Sequence, residues 1–295
     1  MGPATTTLDE MLIRIMRDVG PVDVLDLVKT VNQCQKSLYL RSVWRWAQKI
    51  ARITTTAVYN TGTVRLTEES ATVTGSGTTF TSGMVGRKFQ RSQSTGRFVV
   101  SAYVSPTEIT LDRQWPFDTE TGIAYSIFED TYSLPSDLGR LKSVYDVRTG
   151  YALEAVEFDD ALSQYGGVYI LNPASVYGLK YAQWGKDDTT KYPQIRLFMV
   201  PNESRELDVY YHSEGVAVSN VASIPDVANY MEEVLYQLVL GRYIARMPKD
   251  SAQDLMRYDR LRAENQQNYA TAFTEARRAD SRVSLARMRN ERVMM

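Results

Sequence analysis

Apolar residues recur at helical spacing near both ends of the chain and at alternating positions between them. Leu8, Met11, Leu12, Ile15, Met16 and Val19 fall on one helical face, and Thr7 with Glu10 has the spacing of a capping box. Gly20 and Pro21 stop that helix. Pro21 suits the first turn of a second helix, read to about Arg52 on a stripe of Val24, Leu27, Val28, Val31, Cys34 and Leu38 extended by Val43, Trp46, Ala47 and Ile50. Helical spacing resumes late in the chain. Ser223, Pro225 and Asp226 mark a start ahead of Val227, Tyr230, Met231, Val234, Leu235, Leu238 and Val239, and Pro248 marks the end. Asp250 or Ser251 then caps a helix carrying Leu255, Tyr258, Leu261, Tyr269 and Phe273, with a polar middle at Asn265, Gln266, Gln267 and Asn268.

From about Thr54 to Tyr211 the period is two, with Gly, Pro, Thr and Asp between short runs rich in Val, Ile, Tyr and Phe. Strands are predicted at 71–74, 98–103, 109–112, 124–128, 142–147, 177–181, 194–199 and 207–211. A split at Tyr132 separates a small sandwich or barrel from a sheet packed beside the helices. Neither terminal helix pair covers its own apolar stripe, so the two ends are expected to pack together. The predicted fold is α+β: a helical bundle from residues 1–54 and 222–278, an inserted β domain at 55–131, a sheet region at 132–221 and a basic C-terminal tail at 279–295.

Composition narrows the function classes. A chain of 295 residues with 43% hydrophobic content can bury a core. No apolar run is long enough to cross a membrane, and the opening MGPATTTLDEM lacks the basic start and apolar stretch of a signal, so the product is expected to stay in the cytoplasm where it is made. The one cysteine, Cys34, excludes an internal disulfide. A net charge of −1 argues against gripping nucleic acid with the whole surface. Charge is locally uneven: Asp118 to Asp160 holds ten acids against Arg140, Lys142 and Arg148, and the last nineteen residues hold six arginines against Asp280 and Glu291. That basic end, with isolated Val283, Leu285, Met288 and Met294, reads as a tail that is loose until a partner orders it.

Candidate chemistry is sparse. His212 is the only histidine, so a nucleophile and base pair has little support, and a solvated or hydrogen-bonded strand histidine is the simpler reading. Cys34 on the apolar stripe reads as a small buried hydrophobe. Gly75, Gly77 and Gly83 match neither a dinucleotide fingerprint nor a Walker loop and read as turn glycines. The adjacent pairs Glu129–Asp130 and Asp159–Asp160, taken as strand residues, point to opposite faces and read as solvated surface rather than a metal or glycosidase site. The four tryptophans, Trp44, Trp46, Trp115 and Trp184, read as packing residues ahead of stacking platforms for sugars or bases.

Thr72 to Phe89 reads TVTGSGTTFTSGMVGRKF, followed by ITLDRQWPF and by AYSIFEDTYSLPSDL ending at Leu138. In order and wording this series resembles the middle of the head-to-tail adaptor, or connector, proteins of tailed bacteriophages. The resemblance covers roughly Ala71 to Leu141. It implies a helical bundle with a β insertion, a homo-oligomeric ring that is usually dodecameric, a place in the virion neck between portal protein and tail or nozzle protein, and genomic DNA passing through the lumen without specific binding. It implies no catalytic residue, cofactor or metal. Under it, Arg277, Arg278, Arg282, Leu285, Arg287, Met288, Arg289 and Arg292 would dock on the portal. Asp118, Glu120, Glu129 and Asp130 would either line the channel and repel DNA phosphates during ejection or, as an equal alternative, face the outside solvent. Another neck or tail component, or a sugar-binding β module on a helical stalk, is the second reading, and a hydrolase using scattered carboxylates the third.

Overall fold

The computed structural model describes residues 4–92, 96–165, 169–171 and 179–293, with backbone alone at 162–165, 169–171, 199 and 283–293. Two helices, α1 (Leu8–Val19) and α2 (Val24–Arg41), precede strands β1 (Gln48–Thr54), β2 (Thr63–Leu66), β3 (Thr72–Ser76), β4 (Lys88–Arg91), β5 (Arg97–Ser105), β6 (Glu108–Leu111), β7 (Glu120–Ile123), β8 (Tyr125–Phe128), β9 (Thr131–Ser133), β10 (Leu138–Asp146) and β11 (Glu154–Ala155). A short helix α3 (Phe158–Tyr165) follows, then β12 (Tyr169–Leu171), β13 (Lys180–Lys186), β14 (Pro193–Leu197), β15 (Met199–Pro201) and β16 (Glu206–Ser213), and finally α4 (Glu232–Ala245) and α5 (Ala252–Val293). The fold is therefore α+β, with helices near both termini flanking a β-rich middle. The chain divides into two compact units: one holds residues up to Lys49, Asp137–Leu141 and everything from Tyr211, and the other holds Ile50–Ser136 and Lys142–Tyr210.

In the first unit both chain ends share one core. Leu8, Ile15, Leu27, Val31 and Leu38 are fully buried in the same cluster as Met231, Val234, Leu235 and Val239. Each such side chain contributes about 1.5–3 kcal/mol by leaving water, and residues from both ends of the chain complete that burial together. The start of α1 is arranged in the same way. Thr7 accepts from the Glu10 N–H at 3.3 Å while Glu10 accepts from the Thr7 N–H at 2.9 Å, as the capping-box spacing predicts. The N–H groups of Leu8 and Asp9, which no intrahelical carbonyl can reach, donate to the Ser223 and Val221 carbonyls at 3.1 and 2.9 Å.

Three helix boundaries differ from the sequence reading. The second helix stops at Arg41 instead of running to Arg52: Ser42 is extended, Trp44 turns into the core and donates its indole N–H to the Leu38 carbonyl at 2.8 Å, and the chain from Gln48 is a strand. Ile50, counted on the helical stripe, is 61% exposed. The helix α4 starts at Glu232, about nine residues after Ser223. Asp226 cannot cap there because its carboxylate accepts from the Val216 N–H and its carbonyl from the Tyr39 hydroxyl, while Ser223 is tied to Asn220 in a turn. The last helix, capped by Ser251 on the Asp254 N–H as expected, continues as helical backbone to Val293 through the stretch read as a loose tail.

The second unit is built on a seven-stranded sheet of order β7-β2-β3-β6-β5-β4-β8. Alternate residues of β2 and β6, Val64, Leu66, Ile109 and Leu111, point into a core with Phe89, Phe98, Trp115, Tyr125 and Ile127. The β2–β3 hairpin explains two of the glycines. Gly77 sits at φ +68°, and a Cβ on Gly75 would lie 2.1 Å from the Thr78 hydroxyl, so both serve the turn and no phosphate loop exists there. A second sheet has the order β11-β13-β14-β9, in which Tyr132 of β9 faces Ile195 of β14. That pairing places Tyr132 inside a sheet, so residues 142–210 group with 50–136 and no break falls at Tyr132.

Polar groups of the first unit converge on Asp137. Its carboxylate receives Lys49 Nζ at 2.7 Å, Ser213 Oγ at 2.9 Å and the Tyr211 hydroxyl at 3.0 Å. Burial alone would raise this carboxyl's pKa, but the hydrogen bonds from Lys49, Ser213 and Tyr211 outweigh it and hold the group below the usual carboxylate range. Because the folded value lies below an unfolded value of about 4, the stability it contributes is complete above about pH 4 and is lost as pH falls through the depressed value. Asp137→Asn is therefore expected to be less stable than wild type at neutral pH, with the gap closing in acid below about pH 4 when urea unfolding is followed across pH.

Candidate functional site

The most distinctive element is α5, 42 residues and about 63 Å long at the usual helical rise. Its middle third is anchored to the turn that follows α2. Phe273 meets Trp44 edge-on with ring centroids 5.6 Å apart, and Arg41 donates to the Tyr269 hydroxyl. Ala272 and Ala276 are buried, small enough to let the helix lie close.

Asp280 completes the attachment. Only 7% exposed, its carboxylate accepts from the Arg45 N–H at 3.1 Å, from the Trp46 N–H at 3.3 Å and from the Tyr230 hydroxyl at 2.9 Å. Burial first, and the hydrogen bond to Asp280 second, push the Tyr230 hydroxyl pKa up, so this phenol stays a donor. A tail boundary at Ala279 is thus one residue ahead of a buried anchor, and the attachment extends past it. Sequence reasoning missed this because Asp280 lies among arginines and reads as an exposed counter-charge.

Of the eight residues read as docking groups, Arg277, Arg278 and Arg282 are exposed on α5 and have no carboxylate partner among the described residues. The backbone at Leu285, Arg287, Met288, Arg289 and Arg292 is helical, and their side chains lie outside the described residues.

The structure does not gather the four acids read as channel lining into one solvated face. Asp118 is exposed. Glu120 pairs with Arg91 at 2.8 Å, and Glu129 accepts from the Thr56 hydroxyl at 2.6 Å. Asp130 is 2% exposed and pairs with Arg196 at 3.1 Å, so the expectation that it repels passing phosphates from a solvated surface is corrected: a buried carboxylate needs its cation and has no field to spare. The wider acidic stretch is neutralised in the same way, Asp137 by Lys49, Asp146 by Arg205 at 2.8 Å and Glu154 by Lys180 at 3.0 Å. Asp159 and Asp160 lie in the first turn of α3, not in a strand, where negative charge balances the helix dipole.

Cys34 is buried and its thiol pKa is raised by desolvation. Trp44 and Trp115 are buried, whereas Trp184 is 40% exposed against Phe158 at 4.3 Å. His212 lies half-buried in β16. Among the described residues no cluster of His, Cys, Asp or Glu could hold a metal ion, and no helix is long and apolar enough to cross a membrane.

No family model matches this chain, and no curated protein matches it.

Removing the Asp280 carboxylate leaves two part-buried N–H groups and a part-buried hydroxyl without their acceptor, so Asp280→Ala should cost about 2 kcal/mol in urea unfolding. Truncation after Arg282 should unfold with the wild-type midpoint, whereas truncation after Arg278 should shift it by as much as Asp280→Ala or more.

Proposed function

We propose that this protein is a virion structural component, a head-to-tail adaptor whose copies form a ring between the portal and the tail of a bacteriophage and enclose part of the DNA channel. The observation that carries this reading is architectural: both chain ends build one helical core, and a β-rich region is inserted between them. That is the plan implied by the resemblance of Thr72–Phe89, Ile109–Phe117 and Ala124–Leu138 to the adaptor proteins. The exposed arginines of α5 support a docking role for the C-terminal end. A long helix attached through its middle, with basic residues beyond the attachment, presents an adhesive arm without disturbing the core. Ring symmetry multiplies such contacts, because after the first arm engages each later one is effectively intramolecular.

With Asp130 buried and Glu120 paired, Asp118 is the one exposed acid of the original four available to face a lumen. Low net charge remains compatible with DNA passing without being held.

Electron microscopy of the purified protein, alone and with portal-bearing heads, tests the assignment. Closed rings, of about a dozen copies, that seat on the portal are expected. A monomer that joins no capsid, or a trimer, defeats it. Truncation after Arg282 should keep the ring and the fold while reducing attachment to filled heads by at least about tenfold, since a contact repeated around the ring is lost in every copy.

A further inference from the structure

The last turns of α2 and α4 and the middle of α5 leave between them a cleft of about 340 Å³. Two guanidinium groups line it, Arg41 from α2 and Arg242 from α4, and among the described residues no carboxylate does. Neither arginine has an acidic partner among the described residues. Arg41 is held in place by the Tyr269 hydroxyl, with its guanidinium 5.6 Å over that ring, and Arg242 lines the same cleft as the Cys34 thiol. Most of the N–H donors of both forks are therefore unspent. A cation in the last turn of a helix balances the carbonyl end of its dipole, which accounts for the sign of each charge. It does not account for two forks converging on one concavity from different helices.

The rest of the lining is rich in donors. Asn265 spends its Nδ2 on the Gln237 carbonyl and on Gln237 Oε1, at 2.9 and 2.8 Å, while the Ser37 hydroxyl and the Gln266 amide make no hydrogen bond within the described residues. Gly241 brings α4 this close to α5, since a Cβ there would lie 2.9 Å from Asn265 Oδ1. Two exposed planar forks, one of them fixed by Tyr269, with a hydroxyl and an amide in a cleft at the small end of ligand pockets, suit the bidentate geometry of an oxyanion. We infer that the cleft between α2, α4 and α5 binds a small oxyanionic ligand, a phosphate ester or a carboxylate, gripped by Arg41 and Arg242. This inference stands apart from the assembly role, because the cleft lies within one copy.

Isothermal titration calorimetry of the full chain with inorganic phosphate and, separately, with succinate, at constant ionic strength, tests it. A saturable isotherm is expected with at least one of them, and the tighter of the two identifies the source of the anion. Arg41→Gln and Arg242→Gln should each weaken it by at least about tenfold, the loss of one charge-assisted contact. Thermal melts establish which variants fold. Should a Gln variant unfold, Arg41→Lys and Arg242→Lys keep the charge and lose the fork, and are expected to bind several-fold more weakly. Absence of saturable heat with both anions, or wild-type affinity in the folded variants, overturns the assignment.

Discussion

Leu8, Ile15, Leu27, Val31 and Leu38 can leave water only because Met231, Val234, Leu235 and Val239 arrive from the far end of the chain. That mutual coverage is the constraint on which the rest depends. An amphipathic helix pair of this size is marginal alone, since most helical stability in proteins comes from packing an apolar face rather than from propensity. The backbone adds its own demand. The first N–H groups of α1 find acceptors at Val221 and Ser223, so even the hydrogen bonding of one end is incomplete without the other. With the ends held together, the long middle of the chain is obliged to leave and return, and it folds there as a β-rich unit with its own core.

Buried polar contacts then specify details that apolar packing leaves free. Asp137 gathers Lys49, Ser213 and Tyr211, Asp280 fastens α5 to the turn after α2, and in the other unit Asp130 and Asp146 are matched by Arg196 and Arg205. Each is a carboxylate whose removal leaves several donors stranded, which costs more than the bond itself is worth in water. These contacts also redraw the map of charge. A stretch that is plainly acidic when read along the chain has half of its ten carboxylates paired once partners arrive from residues 49, 91, 180, 196 and 205.

The same redistribution separates the charges that are spent from those that are free. Arg277, Arg278 and Arg282 on α5, and Arg41 and Arg242 in the cleft, are without acidic partners among the described residues, whereas half of the acids of the middle segment have theirs. Free guanidinium groups in a chain of net charge −1 are where contacts with other molecules are to be sought. Such contacts require no reaction centre.

Much of the fold was legible from local signals. The capping box at Thr7 and Glu10, the cap at Ser251, the helical stripes and nearly all of the strand runs are set by side-chain spacing and turn chemistry within a few residues, and they form as that spacing predicts. What sequence could not decide was whatever depended on a distant partner. Asp226 and Ser223 have the spacing of a cap but are taken by Val216, Tyr39 and Asn220, and residues 43–50 carry a helical stripe yet turn because Trp44, Arg45 and Trp46 are claimed by Phe273 and Asp280. Asp130 and Asp280 look like surface acids until Arg196 and the Arg45–Trp46 amides are brought against them. Local periodicity determines which elements exist, because it depends on neighbours along the chain; tertiary structure decides where they stop and which charges remain free, because desolvation and pairing depend on neighbours in space.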